Sequence, residues 1–197
     1  MKNNSKSFSI DAVKRIKSLL KKKGLANKEL DKNLRKQFYE IHSNYYKNFD
    51  YSKALLKLKE SGSLSVHEKL LKKYDSNRFI VINDLYDIIW KITGKPKILL
   101  DLACGLNPLT LPWMKLPNDC KYFCYDLEKN LINFLNDYFK IMKKKGCKAF
   151  LIDVLASPPE TKCDVAFLFK ASTCFEWQSP KSTVLLLEKK GLQSFFD

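Results

Sequence analysis

Apolar residues recur at two different periods along the chain, and the change from one to the other divides it. Between Ser9 and Leu20 the residues Ile10, Val13, Ile16, Leu19 and Leu20 stand at helical spacing, with Lys14, Arg15 and Lys17 elsewhere around the helix. Ser9 with Asp11 supplies a start signal and Gly24 a stop. The same period predicts a second helix over about 27–48, carried by Leu30, Leu34, Phe38, Ile41 and Tyr45, and a third over about 51–60, carried by Leu55, Leu56 and Leu58. A short basic segment over 65–74 and a run over about 77–92 with Ile80, Ile82, Leu85, Ile88 and Ile89 complete a predicted bundle of five helices.

At Thr93-Gly94-Lys95-Pro96 the pattern changes. Lys97 to Leu102 holds Ile98, Leu99 and Leu100 in a nearly unbroken apolar run, the mark of a strand buried on both faces. Further strands are predicted over 121–125, 148–152 and 164–169. Helices are predicted over 130–144, with Leu131, Phe134, Leu135, Tyr138 and Met142 on one face, and over 181–190. Strands alternating with helices imply a parallel sheet, so this half is α/β. The expected division is a basic helical domain over 1–92 and a Rossmann-like domain over 93–197.

Composition breaks at the same place. All seven prolines lie at or after Pro96 and all six cysteines at or after Cys104. The chain of 197 residues carries 36 Lys+Arg against 21 Asp+Glu, and residues 1–95 hold 22 of the former but only 10 of the latter. The excess positive charge therefore belongs to the helical half, where it favours a polyanionic partner. An AT-rich genome is the competing reason for so much lysine. No segment approaches a membrane span and Met1 to Ser9 lacks the apolar core of a signal peptide, so a cytoplasmic protein with reduced thiols is expected, with no membrane partner. Cys120 and Cys124 form the only close cysteine pair, and without a nearby His or a second pair no metal is expected.

In open parallel sheets ligands sit beyond the carboxyl ends of the strands. Asp101, Asp126, Asp153 and Lys170 all fall at predicted strand ends. The loop after the first strand has a single Gly105 with the small Ala103 and Cys104 before it, which lets a ligand approach the backbone; the three glycines of a dinucleotide fingerprint are absent. About twenty residues on, Asp126 can accept hydrogen bonds from both ribose hydroxyls, and Asp153 can accept from an adenine amino group beside the apolar Val154. Taken singly, Asp101 and Asp126 could instead cap the following helices, and Asp153 could be a turn residue before Pro158-Pro159. Their joint order describes S-adenosylmethionine binding.

The wording of these segments is more specific than their spacing. Asp101-Leu-Ala-Cys-Gly-Leu-Asn-Pro-Leu109 with Leu111-Pro-Trp-Met114 closely resembles the aminoglycoside-resistance 16S ribosomal RNA methyltransferases, which methylate N7 of a guanine in the decoding A site. Leu85-Tyr-Asp87, Tyr125-Asp126, Asp153-Val-Leu-Ala-Ser-Pro-Pro159 and Asp164-Val-Ala-Phe-Leu-Phe-Lys170 with Glu176 extend the resemblance over roughly 64–190. It implies an S-adenosylmethionine-dependent enzyme. Asp101, Ala103 and Gly105 would line the methionine end of the cofactor, Asp126 and Leu127 the ribose, and Asp153 with Val154 the adenine. Lys170 and Glu176 would face the target base. A family stretch His-x-Ser-Thr-x-Glu-Arg falls on Lys72 to Arg78 and keeps only the arginine, so Arg78 is expected to hold the cofactor carboxylate. His67 is read as an ordinary helix-surface residue.

The partner implied is 16S rRNA within the 30S subunit, approached by a monomer. Guanine N7 has a free lone pair and no proton, so positioning is required and no general base. Trp113, Phe175 and Trp177 could stack on an extruded base or serve the core. Lys14, Lys17, Lys21, Lys22 and Lys23 form the expected phosphate-binding patch. Only four strands are found before Lys170 and 27 residues follow it, against seven strands in a complete sheet of this class, so the sheet is expected to be C-terminally shortened. Two alternatives stand beside the enzyme: an inactive RNA-binding member of the same family, and a methyltransferase for a small molecule or protein.

Overall fold

A computed structural model describes residues 7–45 and 49–169, together with Ala171, Phe175, Lys181, Thr183 and Leu186. The helix expected over 181–190 lies almost wholly outside the described residues, as do Lys170, Glu176 and Trp177. Five helices come first: α1 (Ile10–Lys22), α2 (Asn27–Tyr45), α3 (Tyr51–Glu60), α4 (Leu64–Tyr74) and α5 (Ser76–Thr93). The sheet region follows with β1 (Ile98–Leu102), a 3-10 turn (Asn107–Thr110), α6 (Leu111–Met114), β2 (Lys121–Asp126), α7 (Lys129–Ile141), β3 (Cys147–Leu151) and β4 (Val165–Phe167). The periodicity locates the first five helices and all four strands to within a few residues; the turn and α6 carry too few residues to show a period.

The ends of the elements are set by local chemistry. Ser9 caps α1 by accepting the Ala12 N–H at 3.2 Å, Asp11 sits in its first turn and Lys21 and Lys22 in its last, all matching the helix dipole. Asp75 caps α5, whose other end closes at Gly94 with a φ of 72° that suits glycine. Glu128 caps α7 by accepting the Leu131 N–H at 2.6 Å.

The four strands are all parallel in the order β3-β2-β1-β4, so the chain steps outward from β1 to β3 and then crosses back to lay β4 on the other side of β1. Leu99, Leu100 and Leu102 are fully buried because β1 is central and covered on both faces. Leu99 belongs to the larger cluster, which it shares with the helices, and Leu100 to a smaller one with Leu102, Tyr125, Val154, Ala171, Phe175 and Leu186. The larger cluster runs without a break from α1 to β4. Phe49 meets Phe134 of α7 edge-on at 5.1 Å, and Trp90 of α5 stacks on Phe167 of β4 at 5.8 Å.

His67 departs from its expected place. It is fully buried between α4 and α7, with Nδ1 2.9 Å from the Ser63 carbonyl and Nε2 3.0 Å from the Tyr138 hydroxyl. A carbonyl only accepts, so Nδ1 carries the proton and Nε2 accepts from the tyrosine. The reason is periodicity: Leu70 and Leu71 lie three and four residues on, and the face they bury includes His67. Burial lowers its pKa and keeps the ring neutral.

Leu100→Ala should cost about 2–5 kcal/mol by urea unfolding, whereas Ile80→Ala, at a site 77% exposed, should stay within about 0.5 kcal/mol. Equal losses would mean that β1 is not the centre of the core.

Candidate functional site

Three carboxylates stand near the carboxyl edge of the sheet: Asp101 one residue before the end of β1, Asp126 at the end of β2 and Asp153 two residues past β3. Asp101 is the most buried, 1% exposed, on the central strand. Its Oδ2 accepts from the Tyr122 hydroxyl at 2.5 Å and from Asn107 Nδ2 at 2.7 Å. Its Oδ1 is buried and has no hydrogen-bond partner among the described residues. Loss of hydration, opposed by those hydrogen bonds and by the nearby Arg78, raises its pKa to about 7.

Behind Asp101 stands a network organised by Asn107. Arg78 Nη1 donates to Asn107 Oδ1, and the Tyr86 hydroxyl lies 3.0 Å from the same oxygen and 2.5 Å from Thr110 Oγ1. The Arg78 Nε also pairs with Asp75 at 3.0 Å, and its guanidinium lies over the Phe169 ring at 5.5 Å, just past the end of β4. Arg78 is thus buried one residue away from Asp101, held by Asp75 and Asn107. The sequence alone assigns no role to Asn107, Tyr86, Thr110 or Tyr122. The first two lie within motifs that stand out in it, and the polar Asn in an otherwise apolar run is the available signal.

The loop after β1 runs to Gly105, whose φ of 50° favours glycine. A Cβ built there would meet no atom within 4 Å, so the loop opens on free space. Ala103 takes a φ of 53° just before it. The Cys104 N–H binds the Tyr125 carbonyl at 3.0 Å and the Gly105 N–H binds Asp126 Oδ2 at 3.0 Å, so the loop is strapped to the end of β2. Asp126 Oδ1 accepts the N–H groups of Leu127 at 2.7 Å and Glu128 at 3.3 Å. The helix cap itself is Glu128, and Asp126 orders the turn into it.

The Ile152 N–H donates to the Asp126 carbonyl at 2.9 Å, which sets Asp153 directly beside this edge. Asp153 Oδ1 accepts the Leu155 N–H at 3.0 Å, and Oδ2 pairs at 2.7 Å with Arg15 of α1, a partner that no sequence pattern announces. Val154 is buried in the smaller cluster. Phe175 is buried there too, which makes it a core residue, and Trp113 packs its ring against His67 at 6.5 Å. Asp101, Ala103, Gly105, Asp126, Leu127, Asp153 and Val154 therefore lie at the carboxyl ends of β1, β2 and β3 or in the loops that follow them, with Arg78 joined to Asp101 through Asn107. Lys14, Lys17, Lys21, Lys22 and Lys23 are all exposed and lie on α1 or its C-cap. A partnerless buried carboxylate oxygen beside an open glycine loop fits a small ligand with a cationic group.

A family model described as ribosomal RNA methyltransferase (FmrO) matches residues 64–193. The 16S rRNA (guanine(1405)-N(7))-methyltransferase of Micromonospora olivasterospora is 32% identical over 97 residues, 49% of this chain and 33% of its own. The matched part spans about a third of the length of the relatives from three Micromonospora species. The solved structure of the 16S rRNA methylase RmtB superposes with a TM-score of 0.75 at 24% identity, covering 94% of this chain and 74% of that one. The 16S rRNA methyltransferase RmtF in complex with S-adenosyl-L-homocysteine gives 0.66 at 22% identity over 93% of this chain and 70% of its own.

Asp101→Asn tests the buried charge. A carboxyl whose folded pKa exceeds its unfolded value binds its proton more tightly when folded, so its contribution falls as pH rises from about 4 to about 7. Relative to the parent, the Asn variant should gain stability between pH 5 and pH 8, on the order of a few kcal/mol, read from urea midpoints at the two pH values. A constant difference between the two proteins would show that Asp101 keeps an ordinary pKa.

Proposed function

The chain belongs to the FmrO family of ribosomal RNA methyltransferases, and on that footing we propose that it transfers a methyl group from S-adenosylmethionine to N7 of a guanine in the decoding A site of 16S rRNA. The substrate is the 30S subunit, the consequence is aminoglycoside resistance, and the protein works as a cytoplasmic monomer. The observation that carries this reading is the arrangement at the carboxyl ends of the strands, where Asp101 with its partnerless oxygen, the open Gly105 loop, Asp126 and Asp153 follow in strand order. The relatives' names and the S-adenosyl-L-homocysteine in the RmtF structure support the choice of substrate and cofactor.

The division of labour follows the two halves. Residues 1–92 dock the RNA through lysines on α1, and 93–197 carry the transfer. S-adenosylmethionine supplies an electrophilic methyl on a sulfonium. Asp101 answers the positive charge of the methionine end, with Arg78 held beside it for the carboxylate. Asp126, already oriented by three backbone N–H groups, accepts from the ribose. Asp153 takes the adenine amino group, and Val154 lines the ring. Lys170 and Glu176 are assigned to the target base. No side chain has to move a proton, because N7 attacks with its own lone pair; the protein's work is alignment.

Asp126→Ala should lower S-adenosylmethionine affinity tenfold or more by calorimetry, while Lys22→Ala leaves it unchanged. Replacing Lys21, Lys22 and Lys23 by Glu should weaken 30S binding and flatten its dependence on salt. Incorporation of labelled methyl into 30S subunits by the parent chain tests the reaction. Cofactor binding without incorporation would favour the inactive RNA-binding member, and a folded protein that binds no cofactor would refute the enzyme outright.

A further inference from the structure

Helix α1 lies across the ends of two neighbouring strands. At its start the Ser9 N–H donates to the Leu127 carbonyl at 2.9 Å and Phe8 forms an antiparallel bridge with Glu128, one and two residues beyond Asp126. Further along, Arg15 Nε reaches Asp153 Oδ2 at 2.7 Å, at the end of the adjacent strand. The Arg15 side chain is 15% exposed and that of Asp153 2%, so the pair is largely withdrawn from water. Breaking it would leave a carboxylate in a site that cannot hydrate it. The chain entering the helix is thereby anchored next to Asp126, and the helix itself at Asp153. It is also the helix on which Lys14, Lys17 and Lys21 stand at intervals of three and four, turned away from the buried Ala12, Ile16 and Leu20.

We propose that Arg15 is a positioning residue that orients Asp153 for the adenine and, through α1, makes cofactor binding and RNA docking reinforce each other. The inference rests on the reading of Asp153 and of the α1 lysines given above. With Oδ1 on the Leu155 N–H and Oδ2 on Arg15, the Asp153 carboxylate is fixed in plane, and each oxygen keeps a lone pair for an exocyclic amine. Adenine seated on Asp153 holds Arg15 and so α1. Phosphates held by the α1 lysines steady the same helix and so Asp153. A helix whose seated position against Asp153 is favoured by both ligands gives a coupling that is equal in both directions.

The test is the thermodynamic cycle of the full chain with S-adenosylhomocysteine and 30S subunits. Affinity for S-adenosylhomocysteine should tighten fivefold or more on the 30S-bound protein, and 30S affinity should rise by the same factor when that nucleoside is saturating. Arg15→Met should bring the factor to about one, and Arg15→Lys, which keeps the cation but loses the planar fork, should restore part of it. A purely structural role would lower both affinities and leave their ratio alone, which overturns the proposal, as does a parent protein that binds both ligands with a factor of one. The parent's factor needs no variant, so the measurement stays decisive even where Arg15→Met misfolds. A parent that binds no S-adenosylhomocysteine refutes the enzymatic reading itself, and the coupling with it.

Discussion

Everything at the site depends on keeping a carboxylate inside the protein. Asp101 ends the central strand at a point where water does not reach, and an ionised group there must be answered by other polar groups or give up its charge. The protein takes a middle course. Tyr122 from β2 and Asn107 from the following turn share one oxygen, and Asn107 is itself held by Arg78 and Tyr86 of α5. The second oxygen has no such answer among the described residues. That incomplete satisfaction makes the group costly to the fold, and it explains why a helix, a turn and two strands are knitted together behind one side chain.

Much of this architecture can be read in the residues. Helical spacing locates α1 to α5, and the apolar run Ile98 to Leu100 announces a doubly covered strand, because burial imposes a period on any element long enough to show one. The three site aspartates are legible as strand-end residues in the right order. What escapes is contact between distant segments. Arg15 and Asp153 stand 138 positions apart, and nothing in either neighbourhood names the other. His67 escapes for a related reason: its polarity suggests the surface, whereas the Tyr138 hydroxyl and the Ser63 carbonyl make it a satisfied core residue. The hub role of Asn107 is hidden likewise, since its partners come from α5 and β1.

The charge imbalance also takes on a location. The helical part is the basic one, yet it is not a separate appendage, for its core residues and those of the sheet form one cluster. Helix α1 has three faces with three roles. Ala12, Ile16 and Leu20 join the core, Arg15 meets Asp153, and the lysines face solvent. The exposed lysines and the arginine that meets Asp153 are therefore on two sides of one rod.

The contact between Arg15 and Asp153 also orders events in time. During synthesis the helix emerges first, and its acidic partner follows 138 residues later, a wait on the order of ten seconds at ordinary elongation rates. In that interval α1 first meets α2, and Phe8 and Ser9 at its start then meet Leu127 and Glu128, just past the end of β2, as these follow. A helix anchored by an apolar patch alone would be a hazard for so long; the lysines on the outer face of α1 keep it hydrated until Asp153 has emerged.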